Sequence, residues 1–185
     1  MKVLLIGHPG SRQIVRASEY LINKYMPGFE FLFIEYTGEI GGWSKFVASF
    51  LNDIKDDLVI LALDDYFLNA KINLDVYKKA IECMSGNVCV KLCDNTTEEF
   101  MEYPVTTQFS LWRRDFLIWV LGQTSTPWDF EISGSKIFKS SKKQVLLMPC
   151  LSYSTLSVLS SRWSGANLSG LSEEDVDFLR AEQMV

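Results

Sequence analysis

The sequence predicts the α/β class: one domain with a central, mostly parallel sheet flanked by helices. Three observations carry this. Strand-like and helix-like patterns alternate over the first two thirds of the chain. Val3–Ile6 is a short unbroken apolar run, as in strands covered on both faces. The stretch Leu58–Phe67, LVILALDDYF, begins with a similar run and ends abruptly in the adjacent acids Asp64 and Asp65. Alternation of this kind implies parallel strands joined by right-handed crossovers. At 185 residues the chain fits a single domain with a substantial core.

The elements follow in order. Val3–Ile6 is the first strand, and Gly7–Gly10 is a turn containing glycine and proline. Ile14, Val15, Ala17, Leu21, Ile22 and Tyr25 recur at helical spacing, and Pro27-Gly28 stops that helix. Phe31–Tyr36 is the second strand, followed by the loop Thr37–Gly42. Trp43, Phe46, Val47, Phe50, Leu51 and Ile54 then mark one face of an amphipathic helix. After the acid-ended strand come a helix near Leu74–Met84 and the strand Val88–Leu92. Tyr103–Trp112 reads as extended, Arg113–Leu121 as helical, Thr124–Phe130 as a turn-rich loop and Val145–Met148 as a strand. Ser172, followed by Glu173, Glu174 and Asp175, caps a last helix with acids in its first turn.

Composition narrows the function classes. Hydrophobic residues make up 48% and aromatic residues 13%, as in a well-packed globular chain. A net charge of −5 argues against a general nucleic-acid binder, yet leaves room for a local basic pocket for phosphates. The four cysteines (Cys83, Cys89, Cys93 and Cys150) contain no CxxC pair, and His8 is the sole histidine, so a structural zinc site is not expected. The first apolar run is too short for a signal peptide, and no stretch is long enough to span a bilayer, so a cytoplasmic chain with reduced thiols is the expectation.

Ligands of open α/β sheets bind outside the carboxyl ends of the strands, which is where Asp64 and Asp65 fall. Oxygen ligands of this type suit Mg²⁺ or Mn²⁺ together with substrate phosphates. The same pair would equally cap a helix or solvate a loop. The loop Gly7-His8-Pro9-Gly10-Ser11-Arg12 joins a strand to a helix and offers backbone N–H groups to an anion, although it matches no phosphate-loop pattern. Gly38, Gly41 and Gly42 would let backbone approach a flat ligand, or would simply make the turn before Trp43. Trp43 itself reads foremost as the core anchor of its helix. Trp112 is expected to open a helix and Trp119 to pack in the core. Gln108, Trp112, Trp128, Asp129 and Glu131 together suit a sugar, with indole on the apolar ring face and polar groups on its hydroxyls. Asp129 and Glu131 are also candidate bases for an acceptor hydroxyl.

The succession VILALDDYFL, TTQFSLWRRDFL and TPWDFE resembles small bacterial and viral glycosyltransferases of the GT-A (Rossmann-like) fold. The resemblance runs over nearly the whole chain, including Arg162-Trp163-Ser164-Gly165, but Asp-Asp-Tyr replaces the family's Asp-X-Asp and no late histidine completes a metal shell. It implies a donor part over about residues 1–95 and an acceptor part over about residues 96–185. It further implies a UDP- or GDP-sugar donor, a glycan or related acceptor, Mn²⁺ or Mg²⁺ as cofactor, and a role in polysaccharide biosynthesis. The donor site would comprise Gly7, His8, Arg12, Glu35, Thr37, Gly42, Trp43, Asp64 and Arg162, with metal on Asp65 assisted by Asp64. Gln108, Trp112 and Trp128 would face the acceptor, and Glu131, with Asp129 second, would act as base in an inverting reaction. The rival expectations are a non-catalytic α/β module that binds nucleotide or Mg²⁺, and a related scaffold that has lost activity.

Overall fold

The computed structural model describes residues 1–7, 12–64, 66–93, 102–141, 143–155, 168 and 170–184. Six strands form the main sheet: β1 (Lys2–Gly7), β2 (Glu30–Glu35), β3 (Leu58–Leu63), β5 (Cys89–Cys93), β6 (Ser110–Arg113) and β7 (Val145–Leu151). Their spatial order is β2-β1-β3-β6-β5-β7. All neighbours run parallel except β6, which is antiparallel to both β3 and β5. A small second sheet pairs β4 (Tyr66–Leu68) with β8 (Tyr153–Thr155).

Alternation of side chains across the pleat splits the core into two layers. Val3, Leu5, Ile60 and Ala62 face a cluster shared with α1 (Arg12–Tyr25), α3 (Leu74–Cys83) and the last helix, α6 (Glu173–Ala181). Leu4, Ile6, Val59 and Leu61 face the opposite cluster, shared with α2 (Trp43–Asn52), α4 (Arg114–Leu121) and α5 (Pro127–Ser140). Burial on both faces is why β1 and β3 read as continuous apolar runs. Each fully buried aliphatic side chain there contributes roughly 1.5–3 kcal/mol.

Local chemistry sets the element ends. α1 ends at Tyr25, just before Pro27-Gly28 as the sequence predicts, and Gly28 at φ +86° turns the chain towards β2, with Phe29 N–H donating to Met26 O at 3.3 Å. Asn73 caps α3 by accepting from the Val76 N–H at 3.2 Å. Ser172 caps α6 by accepting from the Asp175 N–H at 3.2 Å. Asp175 is fully buried, and its carboxylate accepts from Lys24 Nζ at 2.7 Å, from Ser172 Oγ at 2.7 Å and from the Tyr25 hydroxyl. Stacking of Tyr20 on Phe178, 4.1 Å between centroids, completes the clasp between α1 and α6.

The second half departs from the sequence reading in five places. Thr124–Phe130 is only partly a loop, because α5 begins at Pro127. Thr126 Oγ1 accepts from the Asp129 N–H at 2.9 Å and proline takes the first helical position, which together start a helix. Trp112 does not open a helix: it is the third residue of β6, and α4 starts at Arg114. Of the expected extended stretch Tyr103–Trp112 only Ser110–Trp112 is strand, and β6 runs one residue further to Arg113. Trp119 is 44% exposed, outside the core that was expected to hold it. Strand β7 runs on to Leu151 through a register irregularity that accommodates Pro149 on an edge strand.

Candidate nucleotide-binding site

Strands β1, β2 and β3 end side by side, and hydrogen bonds extend their pairing beyond the last ladder residues. Tyr36 N–H donates to Gly7 O at 2.9 Å, and Asp64 N–H donates to Ile6 O at 3.1 Å. From α1, Ser18 Oγ donates to Asp64 O at 3.0 Å. The Asp64 backbone is thus fixed from two elements at the carboxyl edge of the sheet.

Gly7 explains where the Asp64 side chain goes. A Cβ on Gly7 would stand 2.3 Å from Asp64 Oδ2 and 2.7 Å from Phe33 Cε2. The missing side chain is therefore the berth of the carboxylate. Beside it lies a slot of about 150 Å³, walled by Ile6, Tyr36, Ile40, Trp43, Leu63 and Pro127, with Gly7 and Asp64 at one end. Its lining is apolar apart from the Asp64 carboxylate and the Tyr36 hydroxyl.

The loop before α2 shapes this slot. The Tyr36 hydroxyl donates to Glu39 O, and Cβ atoms on Gly38 and Gly42 would come within 2.7 and 2.8 Å of that hydroxyl. These two glycines make room for Tyr36, whereas Gly41 borders open space. On the far side, Ser44 N–H donates to Ser125 O at 3.1 Å, and Ser44 Oγ lies 3.0 Å from Thr124 Oγ1. These contacts bring the start of α5, and hence Pro127, to the mouth of the slot. Trp43 is 3% exposed and packs edge-on against Phe130, so it is core anchor and slot wall at once.

Glu131 ties α5 to the segment that precedes β6. Its Oε1 accepts from Thr107 N–H at 2.7 Å, Thr107 Oγ1 at 2.8 Å and Thr106 Oγ1 at 3.1 Å. Thr107 O in turn accepts from Leu63 N–H at 3.1 Å. A chain of bonds therefore runs from Glu131 to the last residue of β3, next to Asp64. Asp129 Oδ2 accepts from Ser125 N–H at 2.8 Å and Ser125 Oγ at 3.1 Å, closing a reciprocal cap on α5. Hydrogen bonding from Ser133 foremost, with Ser125, holds the Asp129 carboxyl below its ordinary range.

Of the expected site residues, Gly7, Trp43 and Asp64 come together at the slot, and Gly42 adjoins Trp43. Glu35 and Thr37 flank Tyr36 and are exposed outside the lining. His8, Asp65 and Arg162 lie outside the described residues, as does the side chain of Arg12. On the acceptor side, Gln108 is half-buried and Trp128 is 64% exposed, one residue beyond Pro127. Trp112 is a correction: it is fully buried and stacked near Phe116, so it packs the core and presents no face to an acceptor. Tyr36 and Leu63 are slot residues that the sequence reading did not single out. Their signal was position alone, each standing at or next to the carboxyl end of a strand.

Among the described residues no three His, Cys, Asp or Glu side chains converge to hold a metal ion. Asp64 nevertheless provides a hard oxygen donor at the strand edge, and Mg²⁺ or Mn²⁺ completes its shell with phosphate oxygens and water. The donor chemistry therefore fits such an ion in the company of a phosphorylated ligand. Among the described residues no helix is long and apolar enough to cross a membrane.

No family model matches the sequence, and no curated protein matches it. Solved structures do match in fold. The mannosyltransferase PcManGT from Pyrobaculum calidifontis, solved with GDP-Man and Mn²⁺, aligns with 86% of this chain and 58% of its own, at TM-score 0.56 and 10% identity. A cytidylyltransferase from Leptospira borgpetersenii serovar Hardjo-bovis aligns with 80% of this chain and 75% of its own, at TM-score 0.54 and 10% identity. A197 from STIV aligns with 84% of this chain and 86% of its own, at TM-score 0.50 and 12% identity. This chain thus spans under two thirds of the mannosyltransferase. What these alignments share with this chain is the fold, a Rossmann-like arrangement around a mostly parallel central sheet.

Proposed function

We propose that the protein is a glycosyltransferase that moves a sugar from a nucleoside diphosphate to a hydroxyl of a glycan or related acceptor, with Mn²⁺ or Mg²⁺ as cofactor. One observation carries this reading: an apolar slot at the ends of β1–β3 with the Asp64 carboxylate berthed against Gly7 at one end. The slot takes the base between Tyr36, Ile40 and Trp43, leaving the diphosphate beside Asp64. Asp64, with Asp65, would hold the cation, which supplies charge neutralisation of the departing diphosphate. His8, Arg12 and Arg162 are proposed to meet the phosphates, and Glu35 and Thr37, which flank Tyr36, the ribose.

Glu131 is the proposed base if the sugar centre inverts. Its three accepted bonds all fall on Oε1, and Oε2 takes none of them. One oxygen thus holds the side chain in place while the other is offered to the attacking hydroxyl. Asp129, capped into the start of α5 and held below its ordinary range, is the weaker base. Trp128 and Gln108 are proposed to receive the acceptor.

Calorimetry with UDP and GDP, in Mn²⁺ and in chelator, tests the donor site. The expected result is tighter binding with metal and loss of that difference in Asp64→Ala; equal affinity in both conditions refutes metal-assisted binding. Turnover separates the chemistry. Release of nucleoside diphosphate from a nucleotide sugar supports sugar transfer. Release of pyrophosphate from a nucleoside triphosphate and a sugar phosphate would instead make the protein a nucleotidyltransferase.

A further inference from the structure

A second cavity, of about 440 Å³, opens at the other edge of the sheet. Ser85, Gly86 and Asn87 precede β5, Arg113 ends the antiparallel β6, and Lys143 precedes β7. All therefore lie at the amino-terminal edge of the parallel strands, opposite the nucleotide slot. Backbone bonds make this floor rigid: Arg113 N–H donates to Val88 O at 2.9 Å, and Val88 N–H to Gln144 O at 3.4 Å.

Trp119 forms one wall of the cavity and is 44% exposed, although most tryptophans of a chain this size are covered. It is not loose. Its ring rests on Phe116 at 5.0 Å between centroids, and Phe116 stacks in turn on the buried Trp112. The platform is thus set before any ligand arrives, which reduces the ordering cost of binding.

Two cations border the same cavity. Lys143 has no ion-pair partner among the described residues. Arg113 meets Asp115 at 3.4 Å, with both side chains well exposed, and such pairs contribute little, so the guanidinium is available to a stronger anion. Arg113 and Lys143 outweigh Asp115, leaving the lining positive in a chain whose net charge is −5.

We infer that this cavity binds an anionic sugar, a pyranose bearing a carboxylate or a phosphate. The indole packs on the apolar ring face, while Arg113 and Lys143 hold the anion through charge-assisted hydrogen bonds. Ser85 Oγ, which donates to Glu82 O, and Asn87 Oδ1, whose amide nitrogen donates to Cys83 O, are left as acceptors for the ring hydroxyls. A neutral sugar leaves Lys143 without an anion and Arg113 with only its exposed contact to Asp115. A nucleobase needs apolar cover on both faces, and beyond the Trp119–Phe116 wall and Val88 the lining is polar side chain and bare glycine backbone. This inference goes beyond the proposed sugar transfer and does not depend on it, because the cavity lies on the opposite edge.

Tryptophan fluorescence and calorimetry on the full chain test it, using glucuronate oligosaccharides, glucose 6-phosphate, a neutral disaccharide and UMP as probes. The expected result is saturable binding of a carboxylate or phosphate sugar, with the neutral disaccharide at least about tenfold weaker. Which anionic probe binds more tightly distinguishes a uronate from a sugar phosphate as the source of the anion. Trp119→Ala and the double variant Arg113→Gln/Lys143→Gln should each weaken binding about tenfold or more with thermal midpoint and nucleotide affinity unchanged. No saturable binding at millimolar anionic sugar, or equal affinity in both variants, overturns the inference. So does tighter binding of UMP that these same variants abolish, which would make the cavity a nucleotide site.

Discussion

The Asp64 carboxylate occupies the space that a side chain on Gly7 would fill, with Oδ2 2.3 Å from the ideal Cβ position. The last residue of β1 and the residue just past β3 thus share one volume, and the smaller sets the aim of the larger. Gly7 serves the site through its absent side chain as much as through its backbone.

Gly7→Ala tests this directly. The Asp64 carboxylate and the edge of the Phe33 ring, 2.7 Å from the added methyl, must both shift, so the stability loss should be about 1–3 kcal/mol by chemical denaturation. Metal-dependent nucleotide affinity should fall much further than stability. A variant that keeps the wild-type difference between Mn²⁺ and chelator would show that the berth does not matter.

Gly42→Val probes the opposite wall. Its Cβ would press within 2.8 Å of the Tyr36 hydroxyl, which is bonded to Glu39 O. Displacing Tyr36 narrows or opens the slot while leaving the sheet untouched. Nucleotide affinity is expected to drop with little change in thermal midpoint. Unchanged affinity would mean that Tyr36 does not contact the nucleotide.

Glu131→Gln retains an acceptor oxygen for Thr106 and Thr107 but cannot take a proton. As a base, Glu131 is worth roughly 10²–10⁴ in transfer rate, and donor binding should stay at the wild-type level. Asp129→Asn should cost less activity. Transfer at the wild-type rate in Glu131→Gln would reduce Glu131 to the strap that holds Thr107 and, through it, Leu63.

Acid sensitivity should trace to the α1–α6 clasp. Burial pushes the Asp175 carboxyl up, but Lys24, then Tyr25 and Ser172, more than offset it and leave it below its ordinary range. A carboxyl depressed in the folded state contributes stability that is present above its unfolded value, about pH 4, and lost as pH falls through the folded value. Thermal midpoints should therefore decline below about pH 4, and more gently in Asp175→Asn. At neutral pH Asp175→Ala should cost roughly 3 kcal/mol, because Lys24 and Tyr25 lose a buried partner. A parallel decline in wild type and Asp175→Asn would place the acid-sensitive group elsewhere.

The first half of the fold was legible because its strands are covered on both faces and its helices on one. Val3–Ile6, Leu58–Leu63 and the stripe from Trp43 to Ile54 carry their burial in their composition. The second half was less legible because burial there is set by distant partners. Trp112 and Trp119 are the same residue type seven positions apart, yet one is sealed between sheet and α5 and the other lines an open cavity. Thr126-Pro127 did hold a readable helix start, a capping residue followed by proline, which the neighbouring turn-forming residues concealed. The slot was half legible. Asp64 and the glycine loop announce a strand edge, but the role of Tyr36 depends on a packing contact with Gly38 and Gly42 that spacing does not show.

Strand β6 gives the sheet two working margins. In a sheet of parallel strands, chain that leaves one margin returns to the other through a helix and two loops, each able to shift. Here β6 leads from Ser110, three residues past the Thr107 that bonds Leu63, to Arg113 at the opposite cavity, with Ser110 paired to Leu61 and Arg113 to Leu58. Four residues of strand span roughly 13 Å, and hydrogen bonds on both sides clamp them. The two openings are consequently the ends of one stiff ruler. A chain long enough to touch both at once is measured against it, and a substitution at its centre, such as Leu111, would be felt at both ends together.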